Sequence, residues 1–72
     1  MQGMEMKDSD VIANALKDLH KKESLEEAVG RAVRKNGGKY TDYLRIMANI
    51  RDLAYSKEIT ALEAAKELAH QP

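Results

Sequence analysis

The sequence predicts an all-α protein, a small four-helix bundle with short connections, and three observations lead to this fold class. Apolar residues recur at helical spacing in four segments. No segment alternates apolar and polar residues as a half-buried strand does. Two of the four segments are preceded by Ser or Thr with Glu three residues later, which is a typical helix start. The chain has 72 residues, the size of one domain.

Residues 43–55, YLRIMANIRDLAY, form the most apolar of the four segments. At about 100° per residue this segment has one broad apolar face and a second, smaller one. The broad face contains Tyr43, Ile46, Met47, Ile50, Leu53 and Ala54, and the smaller face contains Leu44, Ala48 and Tyr55. A helix with two apolar sides needs neighbours on both. We therefore predict a central helix over about residues 42–55, with Thr41 as its N-cap.

Three further helices are predicted around it. Helix 1 is expected over about residues 10–20, with Asp8 or Ser9 as its N-cap. Helix 2 begins at a capping box formed by Ser24 and Glu27 and ends before a glycine pair. The residues predicted to be buried in these two helices are Val11, Ile12, Ala15, Leu16, Leu19, Leu25, Ala28, Val29, Ala32 and Val33.

Helix 4 is predicted to follow a second capping box, Thr60 with Glu63. Its expected buried face is Ala61, Leu62, Ala64, Ala65, Leu68 and Ala69. Residues 1–8 show no periodicity, so we expect a segment that is disordered or derived from an expression tag. Residues 9–72 then form a single helical domain.

Composition limits the classes of function. The chain has 12 basic and 12 acidic residues, and this balance argues against a general polyanion binder. It has no cysteine, which excludes disulfides and thiolate metal sites and suits a reducing compartment. No apolar run approaches the roughly 18 residues of a membrane span. We expect a soluble, cytoplasmic protein.

Residues that could carry catalysis have structural explanations. Ser9, Ser24, Thr41 and Thr60 are each interpreted as helix caps. The only histidines, His20 and His70, stand far apart in the sequence without a metal-binding spacing, and we expect both to be solvated at helix ends. The sequence therefore predicts no enzyme, no cofactor and no metal site.

Gly30, inside helix 2, has two interpretations. A glycine in a helix interior costs about 1 kcal/mol relative to alanine. It is either a tolerated imperfection or the sign of a close backbone approach by a neighbouring helix or a partner.

A DNA-binding interpretation follows from a basic cluster. Helix 2, the glycine turn and helix 3 could form a helix-turn-helix unit in which Arg45 and Asn49 face a groove. The residues of this hypothesis are Arg31, Arg34, Lys35, Lys39, Arg45 and Asn49. Asp52 on the same side of helix 3 would repel phosphates, so this function is the alternative rather than the leading one.

The leading interpretation is a small non-enzymatic protein–protein interaction module of regulatory or accessory type. If the other helices leave the smaller apolar face of helix 3 uncovered, that face is the natural contact for a second copy or another protein. If they cover it, the face belongs to the core. The residues predicted for this interface are Tyr43, Leu44, Ala48 and Tyr55.

Overall fold

The computed structural model describes residues 7–20 and 22–70, and in this part of the chain it contains four helices and no strand. They are α1 (Asp8–Lys17), α2 (Leu25–Lys35), α3 (Tyr40–Lys57) and α4 (Ala61–Ala69). Each helix packs mainly against two others: α1 and α3 each contact both α2 and α4. The four helices therefore form a ring in which α1 and α3 lie diagonally across the core. This is the predicted all-α four-helix bundle, with α3 as its longest helix.

The core is built from small and medium aliphatic side chains. Its fully buried members are Val11, Ile12, Ala15, Ala28, Val29, Ala32, Val33, Ile46, Met47, Ile50, Ala64 and Ala65. All of them belong to the predicted apolar faces. Five of the twelve are alanines, which allow helix backbones to approach closely. Leu62 was predicted to be buried, and this was wrong: it is 38% exposed, because it lies at one edge of the apolar arc of α4.

Both predicted capping boxes are confirmed. The Ser24 hydroxyl accepts from the backbone N–H of Glu27 at 3.2 Å, and the Glu27 carboxylate accepts from the backbone N–H of Ser24 at 3.1 Å. At α4, Thr60 and Glu63 make the same reciprocal pair at 3.0 Å in both directions. These bonds satisfy backbone donors that the first helical turn leaves unpaired.

The start of α3 corrects the prediction that Thr41 is its N-cap. The helix begins at Tyr40, and Thr41 lies inside it. The Asp42 carboxylate accepts from the backbone N–H of Lys39 at 2.8 Å, so the chain turns into the helix earlier than the Thr pattern indicates. This hydrogen bond is also the main reason that the pKa of Asp42 lies below its ordinary value.

Helix α1 is shifted toward the N-terminus relative to the prediction. It begins at Asp8 and ends at Lys17, and neither Asp8 nor Ser9 caps it, because both lie within the helix. The Asp8 carboxylate instead accepts two hydrogen bonds from Arg45 on α3, at 2.7 and 3.1 Å. The rest of the segment predicted to be disordered or tag-derived, up to residue 6, lies outside the described residues.

Two left-handed residues end α2 and α3. Gly37 has φ 76°, and the N–H of Gly38 bonds the carbonyl of Val33 at 2.8 Å, which closes α2 as the sequence predicts. At the end of α3 the left-handed residue is Glu58, with φ 56°, and the N–H of Ile59 bonds the carbonyl of Ala54 at 3.0 Å. A non-glycine side chain is strained in this conformation.

Candidate functional site

One face of α3 carries three of the four exposed large hydrophobic side chains among the residues that the structure describes. We define the α3 stripe as Tyr40, Leu44, Ala48, Arg51 and Tyr55, which follow one another at intervals of four, four, three and four residues. This spacing keeps them on one side of a helix. All five are exposed, and the adjoining side of α3 supplies Ile46, Met47 and Ile50 to the core.

The degree of exposure distinguishes this stripe from the rest of the surface. Tyr55 is 90% exposed, Tyr40 71% and Leu44 44%. Among the described residues only one other large hydrophobic side chain is exposed, Leu62 on α4. Isolated exposed apolar residues are ordinary, whereas several along one helix face are typical of a contact surface.

The predicted interface residues fall into two environments. Leu44, Ala48 and Tyr55 lie together on the α3 stripe, as the smaller apolar face of the sequence indicates. Tyr43 is half-buried and packs against the core, and its ring stacks on that of Tyr40 with a centroid distance of 5.7 Å. Tyr43 therefore lies between the stripe and the core and is not part of the stripe.

Sequence reasoning did not place Tyr40 and Arg51 on this surface. Tyr40 was expected just before the helix, and it joins the stripe only because α3 begins one half-turn earlier than predicted. The signal that could have found it is Asp42, which stands three residues after Lys39 and whose carboxylate accepts from the backbone N–H of that residue. Arg51 was assigned to neither apolar face because of its charge, although its long aliphatic stem can cover apolar surface.

A cleft of about 660 Å³ lies between α2 and the start of α3. It is lined by Gly30, Val33, Gly38, Tyr40, Tyr43, the acidic residues Glu23, Glu26 and Glu27, and the basic residues Arg31, Arg34 and Lys39. A Cβ atom on Gly30 would lie 3.7 Å from Nη1 of Arg34 and 3.8 Å from Cε1 of Tyr43, which is ordinary contact. Gly30 is therefore not required by a close helix approach within this chain.

Arg31 and Lys35, two cations of the predicted DNA-binding set, are engaged within the protein. Arg31 forms an ion pair with Glu23, and its Nη2 donates to the backbone carbonyl of Asp18 at 2.9 Å. Lys35 lies 3.5 Å from the Asp18 carboxylate. The hydrogen bond from Arg31 lowers the pKa of Glu23 to about 2. These contacts join α2 to the end of α1.

Arg45 is held by two carboxylates. Its Nη2 donates to Asp8 at 2.7 Å and its Nη1 to Asp42 at 2.8 Å. The hydrogen bonds from Arg45 to Asp8 and then to Asp42 raise the pKa of the guanidinium. Asn49, one turn further along α3, is exposed. The pair predicted to read a DNA groove is thus an exposed amide beside a cation that two acids neutralise.

The remaining members of the basic cluster are Arg34 and Lys39, both exposed, and the structure shows no ion pair for either in the described part of the chain. They line the cleft beside Gly30 together with three glutamates. The surface there has both signs of charge, whereas a phosphate backbone favours a continuous basic one.

The residue types that support catalysis or metal binding are dispersed. Ser24 and Thr60 are occupied as caps. His70 is exposed at the end of α4, and His20 is exposed in the connection after α1, which ends at Lys17 and not near His20 as predicted. Within residues 7–20 and 22–70, no group of three or more His, Cys, Asp or Glu side chains is arranged to hold a metal ion. Of the helices in these same ranges, none has the length and apolar character that crossing a bilayer requires.

The geometry thus singles out the α3 stripe as the candidate site, with the charged cleft beside it as a secondary feature. Comparison of the chain with protein-family models, with curated proteins and with solved structures found no match.

Proposed function

We propose that this chain is a small non-enzymatic interaction module of regulatory or accessory type, which binds another protein through the α3 stripe. The observation that carries the proposal is the position of Tyr40, Leu44 and Tyr55: of the four exposed large hydrophobic side chains within residues 7–20 and 22–70, these three share one face of one helix. The residue types of the stripe also support the proposal, because tyrosine and arginine are enriched among the residues that dominate binding energy at protein interfaces.

Burial provides the driving force. Apolar area removed from water contributes roughly 25 cal/mol per Å², and tyrosine offers a large ring with few rotatable bonds to immobilise. The charged residues Arg45 and Asp52 lie beside the stripe on the flank of α3 that faces away from the core, so that flank of the apolar surface is bordered by polar residues. This arrangement, an apolar centre with a polar rim, is typical of protein interfaces.

Affinity capture with matched variants tests the proposal. The wild-type chain, the double variant Leu44→Asp/Tyr55→Lys and the control Leu62→Asp are each immobilised and exposed to extract from the native cell. We expect at least one protein to be retained by the wild type and by Leu62→Asp but not by the double variant. Because all the substituted residues are exposed, circular dichroism should show the same helix content in each. Identical sets of retained proteins from all three would contradict the proposal.

DNA binding is the second candidate, and its support is weaker. Arg31, Lys35 and Arg45 are paired with carboxylates, whereas Arg34 and Lys39 are exposed cations near the start of α3. A duplex titration at low salt separates the two functions. We expect no salt-sensitive binding; binding that weakens with added salt and with Arg34→Ala would favour the DNA-binding function instead.

A further inference from the structure

We propose that the protein bound by the α3 stripe is a second copy of this chain, packed antiparallel against the first about a twofold axis at Ala48. This inference rests on the proposed function and names its partner. The order of side chains along the stripe is nearly the same in both directions.

The stripe is close to a palindrome about Ala48. Tyr40 and Leu44 lie eight and four residues before Ala48, and Arg51 and Tyr55 lie three and seven residues after it. Reversing the helix therefore places Tyr55 of the second copy one residue, about 1.5 Å, from the level of Tyr40. Leu44 meets the aliphatic stem of Arg51 with the same small offset. A twofold interface requires such self-complementarity, because one surface must contact itself.

The sizes of the side chains match this register. Ala48 has the smallest side chain of the stripe and lies on the axis, where the two helices come closest. The tyrosines lie at the two ends, where each end brings Tyr55 of one copy to Tyr40 of the other. Tyr40 already stacks on Tyr43, so Tyr55 of the second copy extends an existing aromatic pair. Aromatic pairs contribute beyond the area that they bury.

Charge complementarity favours the antiparallel orientation, because the Arg45 side chain donates to Asp8 and Asp42 but is still 48% exposed and can face a further carboxylate. Arg45 and Asp52 are seven residues apart and lie on the same flank of α3. In a twofold antiparallel pair each flank meets its own copy, which brings Arg45 to within about one residue of the level of Asp52 of the second copy. This happens twice. In a parallel twofold pair the same flank of each copy lies on opposite sides of the contact, so Arg45 would not meet Asp52 of the second copy.

Cysteine cross-linking tests the orientation directly, because the sequence has no cysteine of its own. A disulfide needs Cα atoms within about 7 Å. Ala48→Cys should cross-link to itself under mild oxidation. Leu44→Cys alone should not cross-link, because its two copies lie about 12 Å apart along the helix axis. A mixture of Leu44→Cys with Arg51→Cys should cross-link, since both positions lie on the contact face within about one residue of the same level. The matched control is Ala13→Cys, an exposed alanine on α1, which should not form a covalent cross-link.

Sedimentation equilibrium measures the assembly without a cross-link. We expect a concentration-dependent dimer whose Kd rises about tenfold or more with Tyr55→Lys, since tyrosine is enriched among the residues that dominate interface energy. Leu62→Lys should leave the Kd unchanged. A monomer at all concentrations overturns the inference, as does efficient cross-linking of Leu44→Cys with itself or of Ala13→Cys.

The outcomes separate this inference from the proposed function. A monomeric chain whose stripe variants still lose a captured protein overturns the dimer and leaves the interaction function in place. A monomeric chain with no stripe-dependent capture overturns both. A dimer that dissociates on Tyr55→Lys and gives the predicted cross-links supports both.

Discussion

Arg31 on α2 reaches back to Glu23, and its Nη2 lies 2.9 Å from the Oε1 atom of that carboxylate. The same guanidinium donates to the backbone carbonyl of Asp18 just after α1. One side chain therefore connects the end of the first helix, the chain leading into the second helix and the second helix itself. This contact has a consequence for stability against acid.

Stability should fall as Glu23 becomes protonated. The pKa of Glu23 is lowered from 4.5 to about 2, mainly by the hydrogen bond from Arg31. A lowered folded-state pKa stabilises the fold above pH 4.5, and this contribution is lost as the pH falls toward 2. Urea unfolding at pH 7, 4.5 and 3 measures the loss. We expect Glu23→Gln to be less stable than the wild type at pH 7 and to lose less stability on acidification.

Glu26→Gln is the control for this experiment. Glu26 is exposed on the first turn of α2, and no ion pair involving it occurs in the described part of the structure. The stability of the Glu26→Gln variant should depend on pH in the same way as that of the wild type. If Glu23→Gln and the wild type lose equal stability between pH 4.5 and 3, Arg31 does not control the acid response.

Two glycines should respond to alanine in opposite directions. Gly30 lies within α2 with room for a Cβ atom, so Gly30→Ala should stabilise the protein by about 1 kcal/mol. Gly37 also has space around it, but its φ of 76° strains any residue with a Cβ atom, so Gly37→Ala should destabilise by about 1 kcal/mol. Chemical denaturation of the two variants measures both effects. A destabilising Gly30→Ala would contradict the spacing around that residue.

Replacing Glu58 with glycine is expected to increase stability. Its φ of 56° places a glutamate in the left-handed region that glycine adopts without strain. Glu58→Gly should stabilise by about 0.5–1 kcal/mol, as the relief of strain exceeds the added entropy of the unfolded chain. Ser56→Gly, two residues earlier and inside α3, should destabilise by about 0.5 kcal/mol. Thermal unfolding that moves both variants in the same direction would be inconsistent with this backbone.

The two threonines distinguish a helix cap from a residue inside a helix. Thr60→Ala removes an acceptor for the backbone N–H of Glu63 and should cost about 1 kcal/mol. Thr41 lies inside α3, where alanine has the higher helix propensity, so Thr41→Ala should change stability by less than about 0.5 kcal/mol. Denaturant midpoints compare them directly. An equal loss of stability in both variants would indicate that Thr41 is the N-cap of α3.

Features with local causes could be predicted from the sequence. The capping boxes at Ser24 and Thr60 depend on residues three apart, and the buried faces depend on helical periodicity. The twelve core residues follow from those faces, and the glycine turn after α2 follows from the conformational freedom of Gly37. Each of these causes lies within a few residues of its effect.

Features with distant causes could not be predicted in this way. Helix α1 ends at Lys17 rather than near His20, and the carbonyl of Asp18 just after it is bound by Arg31 from another helix. Whether the smaller face of α3 is core or surface depends on which sides α2 and α4 cover, and periodicity does not contain that information. The exposure of Leu44 and Tyr55 follows from how the four helices pack and not from the sequence pattern of α3.

The positions of the tyrosines give the protein an optical reporter of its own. The chain has no tryptophan, so its intrinsic ultraviolet fluorescence comes from Tyr40, Tyr43 and Tyr55 alone. Tyr55 is almost fully open to solvent, whereas Tyr43 is half-buried behind Tyr40. A small soluble quencher such as acrylamide therefore reaches Tyr55 first in the free chain. Shielding of that emission would follow the occupation of the α3 stripe without an attached dye.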